Sequence, residues 1–363
     1  MNRQRLTGID LFRGLAIYAV IVLHSDEPLT INPTGWQTIL EFSKFAVPFF
    51  LAASFYLAFK KFYSTSKGVS LRDRLSRLLI PYGIWSAIYL LYKCFKYVVD
   101  GEMSQISQIP QNWFSIIFSG GAAFHLYFLP LLMAGTVLLK LLEIGLPRDH
   151  PPLLVILAPA FGLSLVFYQG LLTTGNAFNN GAGTAFVAVV ETLPTVVGQN
   201  LLVRAGLITL AWMIRCLPYI LLAMLLAHPK LNPGLSKKSG LYCLVMVFAF
   251  VVVNLFGILL PAAVYEILRG YITLVLGLAA SPFLKDAFWL RAWGACSFGI
   301  YLMHLIFIEG FYILASRALP ASFIENISSI TLLLVSVLIL ILTGFLTQIL
   351  RHRKKAAFLL LGG

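Results

Sequence analysis

Asp10, Arg13 and His24 are the residues of this chain whose types and spacing best suit chemistry. All three fall in one apolar stretch, G-I-D-L-F-R-G-L-A-I-Y-A-V-I-V-L-H. Arg13 and His24 are eleven positions apart. At about 100° per residue that is roughly 20° past three helical turns, so both side chains share a face, about 16 Å apart along the axis. Asp10, one turn before Arg13, joins the stripe and can neutralise the guanidinium. A charge in a lipid-spanning helix costs about 3 kcal/mol even on the gentler insertion scales, which marks the stripe as a site. Imidazole titrates near neutral pH, so His24 is a candidate general base, with Asp26 and Glu27 just behind it to hold the ring. Alone, a histidine there would read as a helix-end cap at the headgroup boundary. The shared face with Arg13 and Asp10 turns the reading to catalysis.

The elements that must carry this stripe follow from composition. Hydrophobic residues make up 59% of the 363 positions and charged ones 11%, with a mean hydropathy of +0.88. A soluble chain carries about 25% charged residues, so this is an integral membrane protein, all-α and polytopic. A net charge of +13 would suggest nucleic acid in a soluble protein. Here topology accounts for it, and no nucleic-acid partner is expected. Cys94, Cys216, Cys243 and Cys296 lie in or beside apolar segments without metal-like spacing, so they read as small buried hydrophobes and no metal site is expected. The basic N-terminus runs into a long apolar segment without a small-residue cleavage site, which reads as an uncleaved first span.

Ten stretches approach the ~20 residues that a helix needs to cross the bilayer: 7–24, 38–59, 77–98, 124–142, 152–168, 207–227, 240–257, 262–280, 292–314 and 328–350. With the N-terminus in the cytoplasm, most of the 27 Lys and Arg fall at cytoplasmic ends and loops, from Arg3 and Arg5 to the closing R-H-R-K-K. That asymmetry predicts both termini cytoplasmic. One domain, 1–363, is expected, without internal repeats. Residues 99–123 hold N-W-F-S-I-I-F, which predicts an interfacial helix with Trp113 at headgroup depth. Residues 184–206, with Glu191 and Pro194, read as a re-entrant segment or an eleventh crossing. Charge balance opposes the crossing.

Other polar clusters have plainer readings when taken alone. Arg74 and Arg77, in R-D-R-L-S-R, sit one turn apart and could fork onto one anion; from this loop alone, ordinary positive-inside anchoring wins. His125 in F-H-L-Y-F-L-P, with Tyr127 and Pro130 behind it, fits an aromatic belt at the outer level expected for His24. Ser297, Tyr301 and His304 form an i, i+4, i+7 stripe, which favours hydrogen bonds between helices. Glu266 and Arg269, three apart, are expected to satisfy each other. Arg215 has no local partner and needs one from another helix or a ligand, Glu191 and Glu309 being candidates.

Taken together, these motifs resemble the acyltransferase 3 family of ten-span membrane enzymes. The Asp, Arg, ten residues, His pattern of the first span matches at Asp10, Arg13 and His24. Arg-x-x-Arg matches at Arg74 and Arg77, followed by Pro81-Tyr82. V-P-F-F-L-A-A-S-F-Y-L resembles the second-span signature, Ser54 standing at its serine. F-H-L-Y-F-L and S-F-G-I-Y-L-M-H are similar to the fourth- and ninth-span motifs. Two positions depart: Phe55 stands where a glycine usually follows the serine, which would narrow the space between helices, and Tyr127 stands where tryptophan is usual. Both bear on acceptor or acyl-chain preference more than on reaction class.

The resemblance implies acyl transfer, acetyl before other groups, from cytoplasmic acyl-CoA to a hydroxyl of an extracytoplasmic glycan, lipid-linked sugar or other cell-envelope acceptor. It implies a multi-pass protein of the bacterial inner (plasma) membrane. Acyl-CoA would be the donor substrate, with no permanently bound cofactor. Arg74 and Arg77 would hold the CoA phosphates, Arg13 would orient the thioester end or stabilise developing charge, and His24 would activate the acceptor hydroxyl. Direct attack and an acyl-histidine intermediate both stay open. Asp10, His125, Tyr127, Arg215, Tyr301 and His304 are then candidate substrate-binding residues. An exporter of polysaccharide or glycan intermediates is the alternative, although the halves show no repeated pattern of broken helices. A non-catalytic membrane partner in polysaccharide synthesis would have no reason to keep aligned charges within a span.

Overall fold

A computed structural model describes residues 6–29, 32–64, 70–145, 152–174, 200–229, 239–284, 288–320, 324 and 326–363. Among the described residues there is helix but no strand, and ten helical stretches are long and apolar enough to cross a membrane. They fall where the hydropathy pattern puts them. The chain is a multi-pass membrane protein.

Two compact units share the chain, the first formed by Met1–Ser54, Lys230–Leu260 and Tyr265–Ala356, the second by Phe55–Pro229, Pro261–Val264 and Ala357–Gly363. In the first unit, α1 (Thr7–His24) is the central helix. Around it pack α2 (Trp36–Ser43), α12 (Phe288–Ala318) and α13 (Ser329–His352). The second span breaks at Lys44–Phe45 into α2 and α3 (Ala46–Ser64). Pro48 sits in the first turn of α3, where its missing N–H leaves no hydrogen bond unmade.

Small residues let these helices meet. A Cβ on Gly8 would strike the backbone of Gly277 near the end of α11 (Ala262–Ala280), and Gly8 N–H donates to Ser281 Oγ at 3.0 Å. A Cβ on Gly294 would fall onto Asp10 itself. Close backbone approach of this kind is the usual way helices associate in lipid. These contacts also set directions. The start of α1 lies beside the end of α11, and Tyr18, late in α1, donates to the Leu333 carbonyl early in α13 at 3.2 Å; both neighbours therefore run opposite to α1. By contrast α12 runs with α1, since Gly294 meets Asp10 and His304 meets His24 further along both helices. Parallel first and ninth spans, with antiparallel eighth and tenth, are what ten alternating crossings produce. By comparison, α10 (Ser239–Phe256) leaves Leu244, Phe248 and Leu255 exposed; such an apolar surface belongs against lipid.

The second unit contains α4 (Leu71–Val99), α5 (Met103–Ile106), α6 (Trp113–Phe118), α7 (Phe128–Gly145), α8 (Pro152–Thr173), α9 (Leu201–Ala227) and the short α14 (Lys354–Leu361). Helix α9 packs on both α7 and α8. Phe55, which the sequence puts in the place of a glycine, is fully buried, with its ring tip over Gly135 and beside Cys216. The bulk gained at one position is accommodated by a glycine on the facing helix.

The helix expected in the N-W-F-S-I-I-F stretch forms as α6. Tyr82, in the first half of α4, donates to the Ile116 carbonyl at 2.6 Å and accepts from Gly120 N–H at 3.0 Å, so α6 folds back along α4. The end of the 184–206 stretch differs from expectation: residues 201–206 already belong to α9, with Asn200 capping it by accepting from Leu202 and Val203 N–H. The question of a re-entrant 184–199, and Glu191 with it, lies outside the described residues.

Candidate functional site

The first unit brings Asp10, Arg13, His24, Tyr301 and His304 to one face of α1, the side against α12. At the Asp10 end, Asp10 is 6% exposed and its Oδ1 is 3.8 Å from Arg13 Nη1. The i, i+3 pair forms as its spacing requires, and Gly294 supplies the room for Asp10 against α12. Arg13 keeps a third of its side-chain surface exposed, so the guanidinium is compensated but reachable.

At the other end of α1, His24 Nδ1 is 2.8 Å from Glu27 Oε1. A carboxylate only accepts, so Nδ1 carries a proton, and in the neutral ring Nε2 is the acceptor. Of the two acids behind His24, Glu27 is thus the one that holds the ring. The ring of His304 lies 5.4 Å from that of His24, tilted by 33°. His304 is fully buried, and its Nδ1 is 2.6 Å from the Tyr301 carbonyl oxygen. The same logic applies: a carbonyl accepts, so Nδ1–H donates. Tyr301 packs its ring against His304 at 6.0 Å and stacks on Phe298. The turn after α1 is fixed by Tyr312, whose hydroxyl donates to the Ser25 carbonyl at 2.7 Å. Two imidazoles therefore stand side by side, each held through its Nδ1. Such an arrangement suits proton transfer.

The stripe of α12 is expected to hydrogen-bond between helices, but Ser297 donates to the Gly294 carbonyl at 2.9 Å and His304 bonds Tyr301, both on α12 itself, and the stripe meets α1 through the His304 ring. Sequence spacing places His304 on a face; only packing places that face against His24, 280 positions away. Arg269 differs too. Expected to pair with Glu266, it reaches Glu41 on α2 at 2.7 Å and the Tyr265 hydroxyl, and Glu41 also holds Lys44. No local signal in the sequence links Glu41 to Arg269.

The remaining predicted residues sit in the second unit. Arg74 and Arg77 lie one turn apart near the start of α4, which Ser70 caps by accepting from Asp73 N–H. Their surroundings differ. Arg77 is exposed, with Gly362 close against its backbone, whereas Arg74 is half-buried and feels the charge of Glu143, a buried carboxylate of α7 that Lys140 also holds at 2.9 Å. The C-terminal α14 rests on the same helix, Trp85 Nε1 donating to the Leu360 carbonyl at 2.9 Å. His125 and Tyr127 lie in a short 3-10 turn, Phe124–Tyr127. His125 is buried, with its ring edge-on to Tyr89 at 5.0 Å. Arg215 is buried in the middle of α9.

No group of three or more His, Cys, Asp or Glu among the described residues could hold a metal ion. No curated protein and no solved structure matches the chain at a significant level. A sequence model of an acyltransferase domain does match, over residues 6–347, and so takes in α1 with its Asp10–Arg13 pair and His24, the arginine turn of α4, and the His304 helix. The chain belongs to the acyltransferase 3 family.

Proposed function

We propose that this protein moves an acyl group, acetyl in the first instance, from cytoplasmic acyl-CoA to a hydroxyl of an extracytoplasmic carbohydrate or other envelope acceptor. The observation that carries this reading, beside the family, is His24 held by Glu27 with the second imidazole of His304 against it. In the reaction, the acceptor O–H gives its proton to His24 Nε2 and its oxygen attacks the thioester carbonyl carbon. The C–S bond breaks, and the CoA thiolate takes a proton back from the imidazolium. Arg13 is about 16 Å from His24 along α1, so it serves a different part of an extended donor than the atoms His24 touches. Arg74 and Arg77 hold the CoA phosphates, Arg77 as the exposed partner. In this reading both termini are cytoplasmic, the membrane is the bacterial inner membrane, and no bound cofactor is needed beyond the donor.

The test uses purified protein in detergent with radiolabelled acetyl-CoA, following binding and thioester loss in wild type, His24→Ala and the Arg74→Ala/Arg77→Ala double variant. Binding lost in the double variant, with thioester loss missing in His24→Ala, supports the reading. A folded His24→Ala protein that turns over acetyl-CoA as fast as wild type overturns the role of His24. Equal, negligible binding by all three folded proteins returns the arginines to lipid anchoring.

A further inference from the structure

The arginine turn of α4 borders a break in its own helix. Pro81 lies inside α4 and has no N–H, so the Arg77 carbonyl, four residues earlier, lacks the donor that a helix would give it. The first turns of α4, which carry Arg74 and Arg77, are therefore tied to the rest of the helix by one ladder bond fewer. Two guanidiniums that must meet the phosphates of one ligand need a fixed aim. A helix weakened at that point does not supply it unaided.

Another segment lies over the break. Helix α14 is closed by Gly362, whose φ is +74° and whose N–H donates to the Phe358 carbonyl at 3.2 Å. Gly363 N–H reaches the Ala357 carbonyl at 3.0 Å. Gly362 is buried, and a side chain there would strike the carbonyl oxygen and carbon of Arg77. The backbone at the end of α14 thus rests on the same carbonyl that Pro81 leaves without its helical donor. A Cβ on Gly363 would meet Arg77 Nε at 3.9 Å, an ordinary contact, so the chain leaves α14 alongside the arginine side chain. The second contact lies beyond the break. Trp85 is buried and donates from Nε1 to the Leu360 carbonyl at 2.9 Å, one of the carbonyls at a helix end that lack a donor within the helix. Residues 77 and 85 are about 12 Å apart along α4. Pro81 stands between them, and α14 touches the helix on both sides of it.

We propose that α14 is a splint across the Pro81 break, and that Gly362 and Trp85 are positioning residues for the donor, a role that rests on the acyl-CoA reading above. They fix the direction in which the Arg74–Arg77 turn presents its guanidiniums to the phosphates of acyl-CoA. Each arginine then has its own support within the second unit: Arg74 has the carboxylate of Glu143 on α7, and Arg77 has the end of α14 against its backbone.

The experiment follows thioester loss by the full-length protein in detergent with two donors, acetyl-CoA and S-acetyl-pantetheine. The second keeps the thioester arm and lacks the nucleotide and every phosphate. Gly362→Ala puts a methyl group against the Arg77 carbonyl. Trp85→Phe removes the N–H, keeps an aromatic ring, and carries the test if Gly362→Ala does not fold. Each is expected to raise KM for acetyl-CoA several-fold with kcat held, and to leave the second-order rate with S-acetyl-pantetheine as in wild type. A loss shared equally by both donors overturns the proposal in favour of plain packing, and so does an unchanged KM for acetyl-CoA in the folded variants. Arg77→Ala is measured alongside. If it raises KM for acetyl-CoA while the α14 variants do not, the splint alone fails. If Arg77→Ala also keeps the wild-type KM, the phosphate-binding role of the arginine fails with it.

Discussion

Glu27 and His304 flank His24 in different ways, and substitutions separate their contributions. Glu27 fixes which nitrogen of His24 is protonated. Glu27→Gln keeps a hydrogen-bond acceptor but loses the carboxylate that steadies the imidazolium, so kcat falls while KM for acetyl-CoA holds. The loss stays inside the roughly 10²–10⁴-fold contribution of a general base and below that of His24→Ala. Steady-state kinetics of the two variants check this; a change confined to KM would show that Glu27 binds substrate instead. His304 is buried against His24 with its Nδ1 held by the Tyr301 carbonyl. His304→Phe preserves ring packing and removes both ring nitrogens. Its kcat is expected to drop with thermal stability retained, whereas unchanged kcat would reduce His304 to a packing residue.

At the scale of elements, glycines decide how closely α1 is held. A side chain at Gly294 would fall on Asp10. Gly294→Val is therefore expected to push α12 off α1, at a cost of about 1–3 kcal/mol for overpacking, and to disturb the Asp10–Arg13 pair. Activity and melting temperature should fall together, and an active, fully stable variant would mean the helices separate without consequence. Phe55 and Gly135 make the converse case in the second unit, where ring and notch fit each other. Phe55→Ala leaves a void worth about 3–5 kcal/mol, read as a lower melting temperature in detergent. Its choice between acetyl-CoA and succinyl-CoA is expected to stay the same. A switch in donor would show that Phe55 shapes the acyl site as well as the packing.

Across the whole molecule, the alternation of helix directions in the first unit fits the pattern of Lys and Arg along the chain. Parallel α1 and α12 with antiparallel α11 and α13 agree with ten alternating crossings. In the proposed reading, the positive-inside bias then puts both termini in the cytoplasm. A reporter fused after Gly363 is expected to be active only if the fusion point is cytoplasmic, and an extracytoplasmic result would reverse the topology and place His24 inside.

The sequence by itself determined the number and position of the spans, because a run of about 20 apolar residues is a local property that the bilayer demands of any helix crossing it. It also determined the Asp10–Arg13 pair and the shared face of Arg13 and His24, since both follow from helical periodicity within one segment. Glu27 was legible as one of two acids after His24, without the choice between them. What only the tertiary structure decided are contacts between segments far apart in the chain. His304 beside His24, Glu41 on Arg269, α6 folded back onto Tyr82 and Gly362 on the Arg77 carbonyl all depend on which helix faces turn toward each other. Periodicity gives each helix a polar or small-residue face but not its partner. In lipid, where apolar surface is satisfied on every side, that choice falls to glycine notches and a few polar contacts.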